Sequence, residues 1–133
     1  MSQENIAIIR QAFEAFSRGD TGGVLAVCAE DIVITQAPEV PIGAPEQNGH
    51  AGVLEAFALW PEQWDDFRIE MERVVADPGD HVVVTTRQSG RGKQSGVEVA
   101  ANFTYVFEVR DGKVAEWRIY VTDADALASL AEG

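Results

Sequence analysis

Cysteine is almost missing: Cys28 is the only one among 133 residues. No internal disulfide can form, and nothing points to secretion into an oxidising compartment. Histidine is nearly as scarce. His50 and His81 stand apart with no ligand spacing, so neither a metal nor a cofactor is expected. No apolar run approaches the roughly 18 residues that a membrane span needs. The opening MSQENIAIIR has no basic stretch ahead of an apolar run, so it reads as no signal peptide and a cytoplasmic protein is expected. There is no internal repeat and no low-complexity tract. Positive charge is short as well: 10 basic residues face 22 acidic ones, for a net charge of −12. Residues 1–66 are poorest, with Arg10 and Arg18 against 11 acids. Such a surface repels phosphate backbones and anionic lipids alike, so neither nucleic acid nor membrane is an expected partner.

What is present is enough apolar material for one core. Hydrophobic residues make up 46% of the chain, and the length suits a single domain over 1–133. Ile6, Ile9, Phe13 and Phe16 recur at spacings of three and four, which predicts an amphipathic helix over 3–18 stopped at Gly19. Asp20 or Thr21 then caps a short helix through Cys28. Cys28 is expected there as a small buried hydrophobe. The β-branched run Ile32-Val33-Ile34-Thr35-Gln36 reads as a strand. Residues 37–49, with Pro38, Pro41, Pro45, Gly43 and Gly49, read as a long loop. Val53, Leu54, Phe57 and Trp60 mark a third helix over 50–60, ended by Pro61.

The period then changes. Phe67, Ile69, Met71 and Val74 begin a run of strands, followed by segments near 81–89, 97–109 and 113–121. Asp77-Pro78-Gly79-Asp80 is a turn, and Asp111-Gly112 closes the last hairpin. Asp123 is expected to cap a final helix through Leu127 and Leu130 rather than to catalyse. Helices followed by hairpin-linked strands predict an α+β fold. A curved, mostly antiparallel sheet would wrap an N-terminal helix group into a cone with an apolar pocket.

Four segments resemble the SnoaL-like branch of the nuclear transport factor two-like superfamily. Phe13-Glu14-Ala15-Phe16-Ser17-Arg18-Gly19-Asp20 is similar to the first helix and its Gly-Asp break. Cys28-Ala29-Glu30-Asp31-Ile32-Val33 is similar to the start of the first strand. Gly49-His50-Ala51-Gly52-Val53-Leu54-Glu55-Ala56-Phe57 is similar to the third helix. Arg110-Asp111-Gly112-Lys113-Val114-Ala115-Glu116-Trp117-Arg118-Ile119-Tyr120 is similar to the final hairpin. The superfamily holds isomerases, cyclases, dehydratases, epoxide hydrolases and pure binders, so the resemblance implies a fold and not a reaction.

It does imply positions. The general-base Asp of ketosteroid isomerase-like members falls on Gln36, which cannot abstract a proton. The neutral-Asp position falls near Tyr105, which can still donate a hydrogen bond to a carbonyl or enolate. The first-helix Tyr falls on Ala12. The Arg and Asp positions of limonene epoxide hydrolase-like members fall on Thr86, Gln88 and Ile119, and the polyketide-cyclase Asp on Ile119 again. Three acid/base patterns are thus missing.

Strand alternation gives a matching interior. Phe103, Tyr105 and Phe107 share one face with Val99, Ala101 and Val109. Val84, Thr86 and Gln88 share one with Val82, and Trp117 and Ile119 with Val121. With Phe16, Gln36, Phe57 and Trp60, these are the expected pocket residues, and Tyr105 is the one catalytic candidate. Arg87 has the opposite parity and should point outward. The other sheet face, with Asn102, Thr104, Val106, Arg118 and Tyr120, is where family members commonly dimerise, which makes a homodimer an expectation of the resemblance. The residues leave three functions open: an isomerase, cyclase or dehydratase acting on a small, largely apolar molecule; a non-catalytic binder of such a molecule; or a dimerisation module with a filled core.

Overall fold

In a computed structural model, the structure describes residues 2–37 and 46–132, without the side chains of 2, 57, 59–63, 131 and 132. The order is α1 (Ser2–Ser17), α2 (Thr21–Ala26), β1 (Cys28–Gln36), β2 (Glu46–Asn48), α3 (Gly49–Gln63), β3 (Trp64–Ala76), β4 (His81–Gly92), β5 (Glu98–Arg110), β6 (Lys113–Tyr120) and α4 (Asp123–Glu132). Among the described residues these strands make one six-stranded sheet in the order β2-β1-β6-β5-β4-β3. Only the β1–β6 pair is parallel. The fold is α+β, with a mostly antiparallel sheet enclosing the first helices.

Local chemistry sets the elements. Gly19 takes φ +71°, the left-handed conformation that stops α1. Asp20 then accepts from the Gly23 amide at 2.9 Å and caps α2. Asp111 and Gly112 both carry positive φ and form the two-residue turn between β5 and β6. The inner sheet face and α1 build one core from Ile9, Val82, Val84, Phe103, Tyr105, Phe107 and Ile119, with α2 adding Val24 and β1 adding Ile32 and Ile34.

Several boundaries differ from the sequence reading. β1 begins at Cys28, so Cys28 is a buried strand residue and not a helical one. The long loop contains β2, whose three residues pair with Val33, Ile34 and Thr35; the prolines at 38, 41 and 45 lie outside the described residues. Three polar residues carry no apolar period, so the strand was invisible in the sequence. α3 runs past Pro61 to Gln63. A proline removes one helical N–H but does not by itself unwind the residues after it.

The outer sheet face also departs from expectation. α4 lies across it: Ala126 packs with Val83 and Val106, alongside Val75, Tyr120 and Leu130. Thr104 and Val106 are therefore buried, on the face expected to be a mixed surface of moderate polarity. Asp123 does not cap α4. The amide of Asp125 donates to Thr122 Oγ1 at 3.1 Å, while the Asp123 carboxylate accepts from Thr85, Thr104 and Arg73.

Candidate functional site

Between α1 and the inner sheet face lies a cavity of about 60 Å³. Its described walls are Ala12, Phe13 and Phe16 of α1, Val24 of α2, Cys28 and Ile32 of β1, and Val53 of α3. The sheet adds Phe67 and Ile69 of β3, Tyr105 and Phe107 of β5, and Val114 and Trp117 of β6. None of these side chains is ionised at neutral pH. The Cys28 thiol is pushed up to about 11 by burial, against a smaller pull from Lys113, so it remains a thiol.

Tyr105 is the polar group of this wall. Its ring stacks on Phe13 at 6.3 Å between centroids, meets Phe107 edge-on at 5.8 Å and lies 5.3 Å from Trp117. Gln88 Nε2 donates to its hydroxyl at 2.7 Å. The same amide nitrogen lies 3.3 Å from Thr86 Oγ1, which donates to the Phe103 carbonyl at 2.9 Å. Burial drives the Tyr105 phenol well above its ordinary pKa, more strongly than hydrogen bonding with Gln88 and Thr86 opposes it. The group stays protonated. Its oxygen accepts from Gln88, and Thr86 stands beside it as a second hydrogen-bond partner. Tyr105 therefore remains an O–H donor at neutral pH. Gln88 Oε1 is buried with no partner among the described residues, which leaves the network short of one donor.

The expected pocket residues sort into three groups. Phe16, Tyr105, Phe107 and Trp117 stand on the cavity wall. Val84, Thr86, Gln88, Phe103 and Ile119 are buried in the same core but are not among the described walls; Thr86 and Gln88 connect to the cavity through Tyr105. Gln36 ends β1 opposite Ile119, half-buried and away from the wall. The side chains of Phe57 and Trp60 lie outside the described residues. The walls not foreseen include Phe13, Val24, Cys28, Ile32, Val53, Phe67 and Ile69. Phe13 was legible in the helical stripe it shares with Phe16. Phe67 was legible too, in the alternation it shares with Ile69 and Met71; the extra residue between Asp65 and Arg68, a β-bulge at Asp66, changes the parity only of the residues before it.

The remaining singled-out residues do other things. His50 Nε2 lies 3.1 Å from the Cys28 carbonyl and ties α3 to β1. His81 sits 3.7 Å from Glu108. Arg87 is exposed on the outer face. Among the described residues, no three His, Cys, Asp or Glu side chains gather as a metal site, and no helix is long and apolar enough to cross a membrane.

Known structures share this architecture. A nuclear transport factor two-like (NTF2-like) protein from Burkholderia xenovorans is 32% identical, with 97% of this chain and 96% of that one covered and a TM-score of 0.73. A protein from a Jannaschia species, assigned as a SnoaL-like polyketide cyclase, is 20% identical over 96% of this chain and 91% of its own, with a TM-score of 0.77. TerC, crystallised with polyporic acid, is 24% identical over 98% and 99%, with a TM-score of 0.76. No curated protein matches. The model of the SnoaL-like domain matches residues 9–117. With the sheet order, the enclosed helices and the cavity between them, that match places this chain in the SnoaL-like domain family.

Proposed function

We propose that this protein binds a small, largely apolar molecule in the cavity, and that Tyr105 donates a hydrogen bond to an oxygen of that molecule. The observation that carries the reading is the Tyr105 hydroxyl itself. It is buried, kept neutral and held by Gln88, on a residue of a wall that carries no charge. A donor fixed in an apolar chamber polarises a carbonyl and favours an enolate-like oxygen. Proton abstraction needs a base, and no carboxylate stands among the described walls. The chemistry supported is therefore recognition with carbonyl polarisation, either as a binder or as the electrophilic half of a cyclase- or isomerase-type step. The co-crystal of TerC with polyporic acid supports the fold as a holder of small organic molecules.

The test is calorimetric titration with cyclohexanone and with methylenecyclohexane, which replaces the oxygen by CH₂. Cyclohexanone should bind about tenfold tighter, and Tyr105→Phe should remove that difference while leaving the hydrocarbon unchanged. Equal binding of both compounds to wild type, or no binding of either, overturns the reading.

A further inference from the structure

Gln88 of β4 faces the core, so strand parity sends Val83, Thr85, Arg87, Ser89 and Arg91 to the outer side of the sheet. α4 covers only the first part of that row. Val83 lies under Ala126, and Thr85 donates to Asp123. Beyond them Arg87 and Arg91 are exposed and Ser89 is half-buried.

The register sets what surrounds these three. Arg68 of β3 stands opposite Ser89, and Ser89 stands opposite Ala100 of β5. Arg87 and Arg91 flank that row, two positions to either side of Ser89. Short side chains in the middle and long ones around them leave a hollow of about 570 Å³. Its charged walls are Arg68, Arg87 and Arg91 against Asp66 and Glu98. Cations outnumber carboxylates here, in a chain where 22 acids face 10 bases. The groove between α1 and β3 shows no such excess, since Arg10 and Arg18 there meet Glu14 and Glu70.

Two of the three guanidiniums are also unpaired. Arg91 donates to Glu98 at 3.2 Å. Arg68 and Arg87 have neither an ion pair nor a hydrogen-bond acceptor among the described residues, although Glu70 stands opposite Arg87 in register. The Ser89 hydroxyl between them has no partner among the described residues either. A guanidinium is a fixed fork of donors that matches the oxygens of an anion. One fork satisfies the two oxygens of a carboxylate. Two forks and a hydroxyl around one floor suit a group with three terminal oxygens. The net charge of −12 repels long polyanions. A small ligand inside the hollow lies within a Debye length, about 8–10 Å, of the local cations.

We propose that this hollow on the outer sheet face is a second binding site, one that takes the phosphate group of a small phosphate monoester. Arg68 and Arg87 hold the phosphate, with the Ser89 hydroxyl as a third donor. The hollow shares no described wall with the inner cavity, so this site stands or falls independently of the cavity's ligand.

The experiment is an amide NMR titration at low ionic strength with phenyl phosphate and with benzoate, which keeps the ring and changes the anion. Wild type, Arg68→Gln, Arg87→Gln and Arg10→Gln are compared. All three arginines are exposed, so the substitutions leave the core intact. Arg10 is the control, because it also lacks a carboxylate partner among the described residues but lines the groove beside α1. Phenyl phosphate should give saturable shifts at the amides of Arg68, Arg87, Ser89 and Arg91. Its affinity should fall about tenfold in Arg68→Gln and in Arg87→Gln and stay unchanged in Arg10→Gln. Benzoate should bind these amides at least about fivefold more weakly. The absence of saturable shifts at these four amides in wild type overturns the site. Equal weakening by Arg10→Gln overturns it as well, since any unpaired guanidinium would then serve. Benzoate binding as tightly as phenyl phosphate overturns the phosphate assignment.

Discussion

Gln88 Nε2 donates to the Tyr105 hydroxyl at 2.7 Å, across the β4–β5 pairing that sets Val84 opposite Tyr105 and Gln88 opposite Ala101. The amide of one strand thereby fixes the phenol of the next.

Replacing Tyr105 by Phe breaks that link at both ends. The Gln88 amide loses its short acceptor inside the core and keeps only the longer contact to Thr86. We expect a loss of about 1–3 kcal/mol in unfolding free energy, read by urea denaturation. An unchanged midpoint would show that Gln88 finds water or another acceptor once the phenol oxygen is gone.

Ile119 is 6% exposed and sits opposite Tyr105 on β6. Ile119→Asp introduces a carboxylate into this core, yet no cation stands among the described cavity walls beside it. The expected cost is about 3–5 kcal/mol, that of an unpaired buried charge. Thermal unfolding at pH 7 checks it. A variant as stable as the parent would mean that water reaches this part of the core.

Asp123 holds α4 to the sheet through Thr85, Thr104 and Arg73. Its pKa is lowered, first by the Thr104 hydrogen bond, with Thr85 and Arg73 adding to the effect against some desolvation. A depressed folded pKa stabilises the fold above the unfolded value, near ~4. That contribution disappears as pH falls through the folded value. Asp123→Asn should therefore lower stability at pH 7 by about 1 kcal/mol and flatten the pH dependence below roughly pH 4. Parallel stability curves for variant and parent between pH 2 and pH 5 would contradict this assignment.

Asp66 is exposed, so replacing it removes little packing, but its φ of +53° constrains what can stand there. Asp66→Gly should stay within about 0.5 kcal/mol of wild type. Asp66→Val should lose about 1–3 kcal/mol, because a β-branched residue resists the left-handed region. Similar stabilities for the two variants would mean that the bulge relaxes rather than imposing its conformation.

Much of this molecule was legible from local pattern. The alternation of Phe103, Tyr105 and Phe107 against Asn102, Thr104 and Val106 assigns the inner face of β5, because strand geometry sends successive side chains to opposite sides. Asp111-Gly112 marks the last hairpin, and Gly19-Asp20 marks the break between the first helices, since each supplies the backbone conformation or cap its turn requires. The identities of Gln36, Thr86, Gln88 and Ile119 already stated that the charged groups which the resemblance implies at these positions are missing.

Three matters were decided only in three dimensions. The bulge at Asp66 reverses the parity of β3, and a count along the chain cannot see that Trp64 and Phe67 meet on one side. The burial of Thr104 and Val106 comes from α4, which reaches the outer face from beyond the sheet. Cys28 sits where a parallel pairing with Val114 places it, far apart in sequence. Residue types and short-range spacing determined which side chains could face inward. Long-range pairing, with one extra residue in one strand, decided which of them enclose the cavity, because register is a property of two strands and not of one.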